Sequence, residues 1–165
     1  MPRAMIEMGV PESVRPDPEG VAMSEMDIDP IFPRGDKNDA YAANFIGQSY
    51  LNMLTTEGVV IGNVTFEPAC RNNWHIHHAS SGGGQILLCT AGSGWHQIEG
   101  QEPDDMVPGT VIQVRPGVKH WHGAKADSWF THIAIEVPPG IDAHNEWLEP
   151  VTDEVYNKLS TKDNA

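Results

Sequence analysis

WHIHHASSGGGQ, residues 74–85, decides how this 165-residue chain is read. Side chains alternate across a β-strand, so His75 and His77 face the same way and stand side by side as a ready chelating pair. His78 has the opposite parity and is expected to begin the loop. The Gly82-Gly83-Gly84 run then lets the chain turn freely before an apolar strand that starts at Gln85. A second cluster, KHWHG at 119–123, repeats the i, i+2 spacing with His120 and His122 just after a Pro116-Gly117 turn. Five of the eight histidines fall in these two groups. Two such pairs, each beside a Gly-rich turn, point to a divalent metal held between strands.

Working outward, short strands alternate with turn residues. SYLNMLTT and VVIGNVTFEP flank a Glu57-Gly58 hairpin turn; QILLCTA, GWHQIEG, TVIQVRPG and WFTHIAIEVPP follow, punctuated by Gly92-Ser93-Gly94, Pro108-Gly109 and Pro116-Gly117. With 16 Gly and 13 Pro, this is the rhythm of an all-β sandwich or barrel. Residues 1–38 carry six prolines among scattered acids and are expected to be an extended N-terminal arm, with MIEMGV and IDPIF offering apolar surface to the body or to a partner. The β domain spans 39–150. Residues 151–165 form a C-terminal helix and tail, with Thr152 capping, Asp153 and Glu154 in the first turn and Lys158 in the last.

A formal net charge of −13 with no basic patch argues against nucleic acid as a partner. Two cysteines, Cys70 and Cys89, in a chain whose N-terminus lacks a signal-peptide h-region predict reduced thiols in the cytoplasm. No window approaches the apolar length of a membrane span, so no membrane partner is expected.

The stretch from Trp74 to Gly123 resembles the two motif regions of the cupins. His75-Ile76-His77 is followed by Gln85 and, six residues on, Gly92; Gly109 is followed by five residues, Arg115-Pro116-Gly117, two residues and His120. The spacer before Gln85 is longer than the family's usual one, Gln85 replaces its Glu, Arg115 stands for a Pro, and Ala124 occupies the position where an Asn is frequent. The resemblance implies a double-stranded β-helix, or jelly-roll barrel, holding one divalent transition metal on His75, His77, Gln85 and His120: Mn first, with Fe, Ni or Zn as alternatives. An amide in place of the carboxylate leaves the ligand set uncharged, which favours Lewis-acid chemistry over the stabilisation of a trivalent ion. The His3Gln pattern, together with THIAIE, is similar to a small bacterial cupin group that includes metal-dependent hydroxynitrile lyases.

On the strand 129–137, Phe130, His132, Ala134 and Glu136 share one face. In a cupin that face lines the pocket while the opposite face packs on another subunit, so a homodimer is expected, with His132 as general base. His122 is assigned to orienting a ligand or binding substrate. His96 is read as structural with its direction open, and His144 as a surface residue. Trp74 and Trp121 are expected to pack, Cys89 to fill core, and Cys70 has no assigned role. These readings converge on a metal-dependent lyase or isomerase for a small hydroxy or carbonyl compound. An iron-dependent dioxygenase and a non-catalytic small-molecule-binding cupin are the rivals.

Overall fold

The computed structural model describes residues 26–138, 140 and 142–160. Among these residues thirteen strands, one α-helix and, between the first two strands, a 3-10 helix (Asp39–Asn44) follow in order: β1 (Asp36–Lys37), β2 (Phe45–Ile46), β3 (Ser49–Thr55), β4 (Val60–Phe66), β5 (Arg71–Asn72), β6 (His75–His78), β7 (Gln85–Gly92), β8 (Gly94–Ile98), β9 (Asp104–Met106), β10 (Val111–Val114), β11 (His120–Ala124), β12 (Phe130–Glu136), β13 (His144–Trp147) and α1 (Asp153–Ser160). A six-stranded sheet runs β1-β3-β4-β12-β7-β10. A seven-stranded one runs β13-β6-β11-β5-β2, with β8 and β9 attached through β11. The chain crosses repeatedly between the two, giving the expected all-β jelly roll with a short C-terminal helix.

Alternation explains what each sheet buries. In β7, Gln85, Leu87, Cys89 and Ala91 are buried while their neighbours are half-buried. Leu87 and Cys89 join Phe66, Phe130, Met106, Cys70 and Ala124 in the core between the sheets. Every residue of β11 is buried because both of its faces are covered. His120 and His122 point inward, and Trp121 points outward into a second cluster with Trp95, Val151, Tyr156 and Leu159, against which Trp74 packs. Arg71 pins α1 over that cluster: its Nε donates to the Val151 carbonyl at 2.9 Å and its Nη2 reaches Asp153 at 2.5 Å. Thr152 caps the helix through Oγ1, which accepts from the Val155 N–H at 3.3 Å.

Two turns need glycine. Gly82, Gly83 and Gly84 all have positive φ, and a Cβ on Gly84 would strike the Val114 carbonyl oxygen. Gly92 has φ +68°, and a Cβ there would overlap the Trp129 carbonyl oxygen.

The structure differs from expectation at β6, which continues through His78 instead of ending before it. The cause is β13, a strand not foreseen, whose His144 pairs with His78 and whose Trp147 pairs with His75. Residues 1–25 of the expected arm lie outside the described residues. Within its remainder, Asp36–Lys37 add an edge strand beside β3, and the Pro33 carbonyl accepts from Asn52 and Asn63 Nδ2 at 3.1 Å each. Among the described residues, no helix is long and apolar enough to cross a membrane.

Candidate metal centre

His75 and His77 sit on β6, and His120 pairs directly with His75 from β11. One ligand atom from each of the three lies within 4.8 Å of the others, and all three side chains are buried. Each ring is held from behind. His75 Nδ1 lies 2.9 Å from the Asn73 carbonyl, His120 Nδ1 lies 3.1 Å from the Val118 carbonyl, and His77 Nδ1 lies 2.8 Å from Asn145 Oδ1. A carbonyl oxygen only accepts, so Nδ1 of each ring carries the proton and Nε2 keeps a lone pair. Nε2 of His77 and of His120 is buried with no hydrogen-bond partner. Burial pushes His75 down to about 3 and His120 to about 2, which keeps both imidazoles neutral, the form that binds a cation.

From the opposing sheet, Gln85 joins His75 and His77 in lining a cavity of about 230 Å³. Its Nε2 donates to Glu136 Oε1 at 2.6 Å, and its Oε1 is buried and unpartnered. Burial raises the Glu136 pKa, but the hydrogen bonds from His77 and Gln85 outweigh it, and the net direction is down, toward carboxylate. Unpartnered imidazole nitrogens, with a buried amide oxygen among the cavity-lining residues, are a donor set that fits a divalent transition metal.

A second histidine pair lines the back of the cavity. His132 Nε2 and His122 Nδ1 lie 3.1 Å apart, and both rings are buried. Asn72 clamps His122: its Oδ1 accepts the His122 backbone N–H at 2.9 Å while its Nδ2 sits 3.0 Å from Nε2 and 3.4 Å from Nδ1. Phe66 and Phe130 flank His132, and burial lowers it to about 4 against an opposing backbone hydrogen bond at Ile133. His122 is driven well below the ordinary imidazole value, first by burial and then by His132.

Comparison with known proteins finds the same scaffold. No family model matches the chain. An (R)-mandelonitrile lyase of Granulicella tundricola is 44% identical over 97 residues, which span 58% of this chain and 70% of that protein. The chain belongs to the cupin superfamily. A cupin-like protein of Thermotoga maritima superimposes with TM-score 0.70 at 36% identity, covering 79% of this chain and 97% of that one. A double-stranded β-helix protein of Klebsiella pneumoniae, 16% identical with TM-score 0.51 over 67% of this chain and 93% of its own, shares the fold.

Within this cupin, the residues singled out in the sequence come together unevenly. His75, His77 and His120 form one cluster, Gln85 approaches from across the barrel, and His122 and His132 form the pair behind. His96 also turns inward: its Nδ1 lies 2.9 Å from Asp104 Oδ2, its ring centre is 5.6 Å from that of His120, and its Nε2 is buried without a partner. His144 is exposed as expected and stacks on His78 at 4.7 Å. Trp74 and Trp121 pack under α1, and Cys89 fills core.

Sequence reading missed Asn72, Asn145, Trp147, Phe45 and Tyr41, all of which line the cavity. Asn145 and Trp147 share the face that lines the cavity, but a four-residue strand whose first three residues are exposed gives too short a pattern to separate from a loop. Asn72 sits on a two-residue strand with no pattern at all.

Proposed function

We propose that this cupin is a metal-dependent enzyme, a lyase or isomerase acting on a small hydroxy or carbonyl compound. The observation that carries the reading is the convergence of three back-braced imidazoles beside a cavity whose lining also includes the buried His122–His132 pair. His75, His77, His120 and Gln85 would hold one divalent transition metal, Mn first and Fe, Ni or Zn as alternatives. When bound, it would supply a Lewis acid for a substrate oxygen.

The chain's own residues do the rest. Leu51, Met53, Val60, Val64, Phe45 and Trp147 form an apolar wall for the substrate's hydrocarbon part. No Lys or Arg is among the described residues that line the cavity, so a carboxylate or phosphate substrate would find no side-chain counter-charge. That favours an uncharged substrate. His132 would take the hydroxyl proton, and Asn72 keeps the neighbouring His122 in place. The substrate named for the Granulicella tundricola relative, mandelonitrile, is a compound of this kind. Loss of its hydroxyl proton, with rupture of the bond to the nitrile carbon, yields a carbonyl compound and cyanide, which then takes up the proton.

The outer face of the six-stranded sheet carries Ile61, Ile86, Leu88, Val111, Ile133 and Ile135. Val111 is 59% exposed, and we assign this face to a homodimer. The two cysteines are free and buried, consistent with a cytoplasmic location.

The test is elemental analysis of wild type, His75→Ala and His120→Ala, together with a cleavage assay on racemic mandelonitrile. We expect about one metal ion per chain in wild type and loss of it in both variants. We expect His132→Ala to keep its metal and lose turnover. Unchanged metal content in both histidine variants refutes the metal reading. Oxygen consumption by the iron form, without cleavage of any hydroxy compound, replaces the lyase reading with a dioxygenase.

A further inference from the structure

Gln85 presents a problem that the metal reading does not solve. A primary amide has nearly the same shape both ways round. Turned one way it offers a cation its oxygen; turned the other way it presents an NH2 group, which repels the cation and leaves a buried donor facing it. Nothing in Gln85 itself chooses between the two, so the choice has to come from a neighbour.

Glu136 is that neighbour. It lies directly opposite Gln85 in the β7–β12 ladder, so backbone pairing fixes the approach of the two side chains. Its Oε1 is 2.6 Å from Gln85 Nε2, and a carboxylate accepts only, so the atom facing it must be the NH2. Its Oε2 lies 3.4 Å from Nδ1 of His77, the ring that Asn145 also holds. One carboxylate, itself among the residues that line the cavity, thus contacts two of the groups beside it there.

We infer that Glu136 is the positioning residue for Gln85: its carboxylate turns the amide so that Oε1 faces the histidines, and sets a negative charge one hydrogen bond behind the ligand atoms. The inference rests on the metal reading above. It also revises the expectation of an uncharged site. The carboxylate absent from position 85 is present on the next strand, acting through an amide and an imidazole instead of touching the ion.

The experiment is Mn2+ titration of the chelator-stripped full chain, followed by the electron paramagnetic resonance of free manganese, for wild type, Glu136→Gln, Gln85→Ala, His75→Ala and the exchanged pair Gln85→Glu with Glu136→Gln. Loss of such an outer partner weakens metal binding by about 10–100-fold, which is the expectation for Glu136→Gln. The exchanged pair puts the acceptor-only group toward the cation and the amide behind it as donor, so it should recover affinity to within about tenfold of wild type. Far-UV circular dichroism of each stripped variant confirms the fold. Wild-type affinity in Glu136→Gln overturns the inference, and so does an exchanged pair no tighter than Glu136→Gln alone. Wild-type affinity in Gln85→Ala, with binding lost in His75→Ala, overturns it while leaving the metal reading standing. Wild-type affinity in His75→Ala removes the metal reading itself.

Discussion

Lowering the pH should unfold the metal-free protein early, and the magnitude follows from its buried histidines. His75, His96, His120, His122 and His132 are each pushed below the ordinary imidazole value, with burial the first cause in every case; His75 falls to about 3, His120 to about 2 and His132 to about 4. In the unfolded chain each would titrate near 6.5. A group whose folded pKa is depressed stabilises the fold fully above its unfolded pKa, and that contribution disappears as pH falls toward the folded value. At pH 5.5 each unfolded histidine gains about 1.4 kcal/mol from protonation that a folded imidazole held well below that pH cannot match, about 6 kcal/mol for His75, His120, His122 and His132 together. At pH 7.5 the same sum is about 0.2 kcal/mol. A domain of this size has only about 5–15 kcal/mol in total, so a large share of it is gone by pH 5.5. Urea melts of the stripped protein at pH 7.5, 6.5 and 5.5, read by tryptophan fluorescence, measure the loss directly. Saturating Mn2+ should offset it, since an ion that binds only the folded chain adds RT ln(1 + [L]/Kd). A stripped protein whose unfolding free energy changes by less than about 2 kcal/mol across that range would refute the reasoning.

Three further outcomes follow from the packing. Arg71→Ala should destabilise by about 3–5 kcal/mol, because a buried guanidinium binding the Val151 and Ala69 carbonyls and stacked on Tyr156 is lost, while Asp153→Ala, whose side chain is 83% exposed, should cost under about 1 kcal/mol in the same urea melts. Trp121→Ala should lose about 3–5 kcal/mol by opening a void beneath α1, with metal content unchanged because that side chain points away from the cavity. Gly92→Ala should yield little soluble protein, since the added Cβ meets the Trp129 carbonyl at a backbone angle that L-residues avoid; soluble yield and melting temperature check it.

The readability of this chain follows from how its information is distributed. β7 and β12 were legible because seven or eight residues rich in apolar and β-branched side chains, set between Gly and Pro turns, read as strands. The histidine pairs were legible because i, i+2 spacing on a strand fixes their common face, whatever the rest of the chain does. What stayed hidden depends on contacts far apart in sequence. His78 reads as loop until β13 arrives, 66 residues on, to pair with it. Whether His96 points in or out turns on β8 lying antiparallel to β11 with His96 opposite His122, a register that no local pattern encodes. Asn72, which clamps His122, is visible only once β5 and β11 are neighbours.

That division bears on the chemistry. The ligating side chains are specified locally, in two short motifs, but everything that sets their protonation and orientation comes from elsewhere: backbone carbonyls at 73 and 118, Asn145 on β13, Glu136 on β12. His75, His77 and His120 belong to one sheet and Gln85 with Glu136 to the other. A cation shared by all four ligand candidates would therefore tie the two sheets together at the end of the barrel away from the Phe66–Phe130–Met106 core. Substitutions behind the ligands then act on two properties at once, the electronic character of the site and the cohesion of the sheets that build it. For that reason affinity for the ion and stability of the stripped fold have to be measured separately before a loss of turnover is attributed to either.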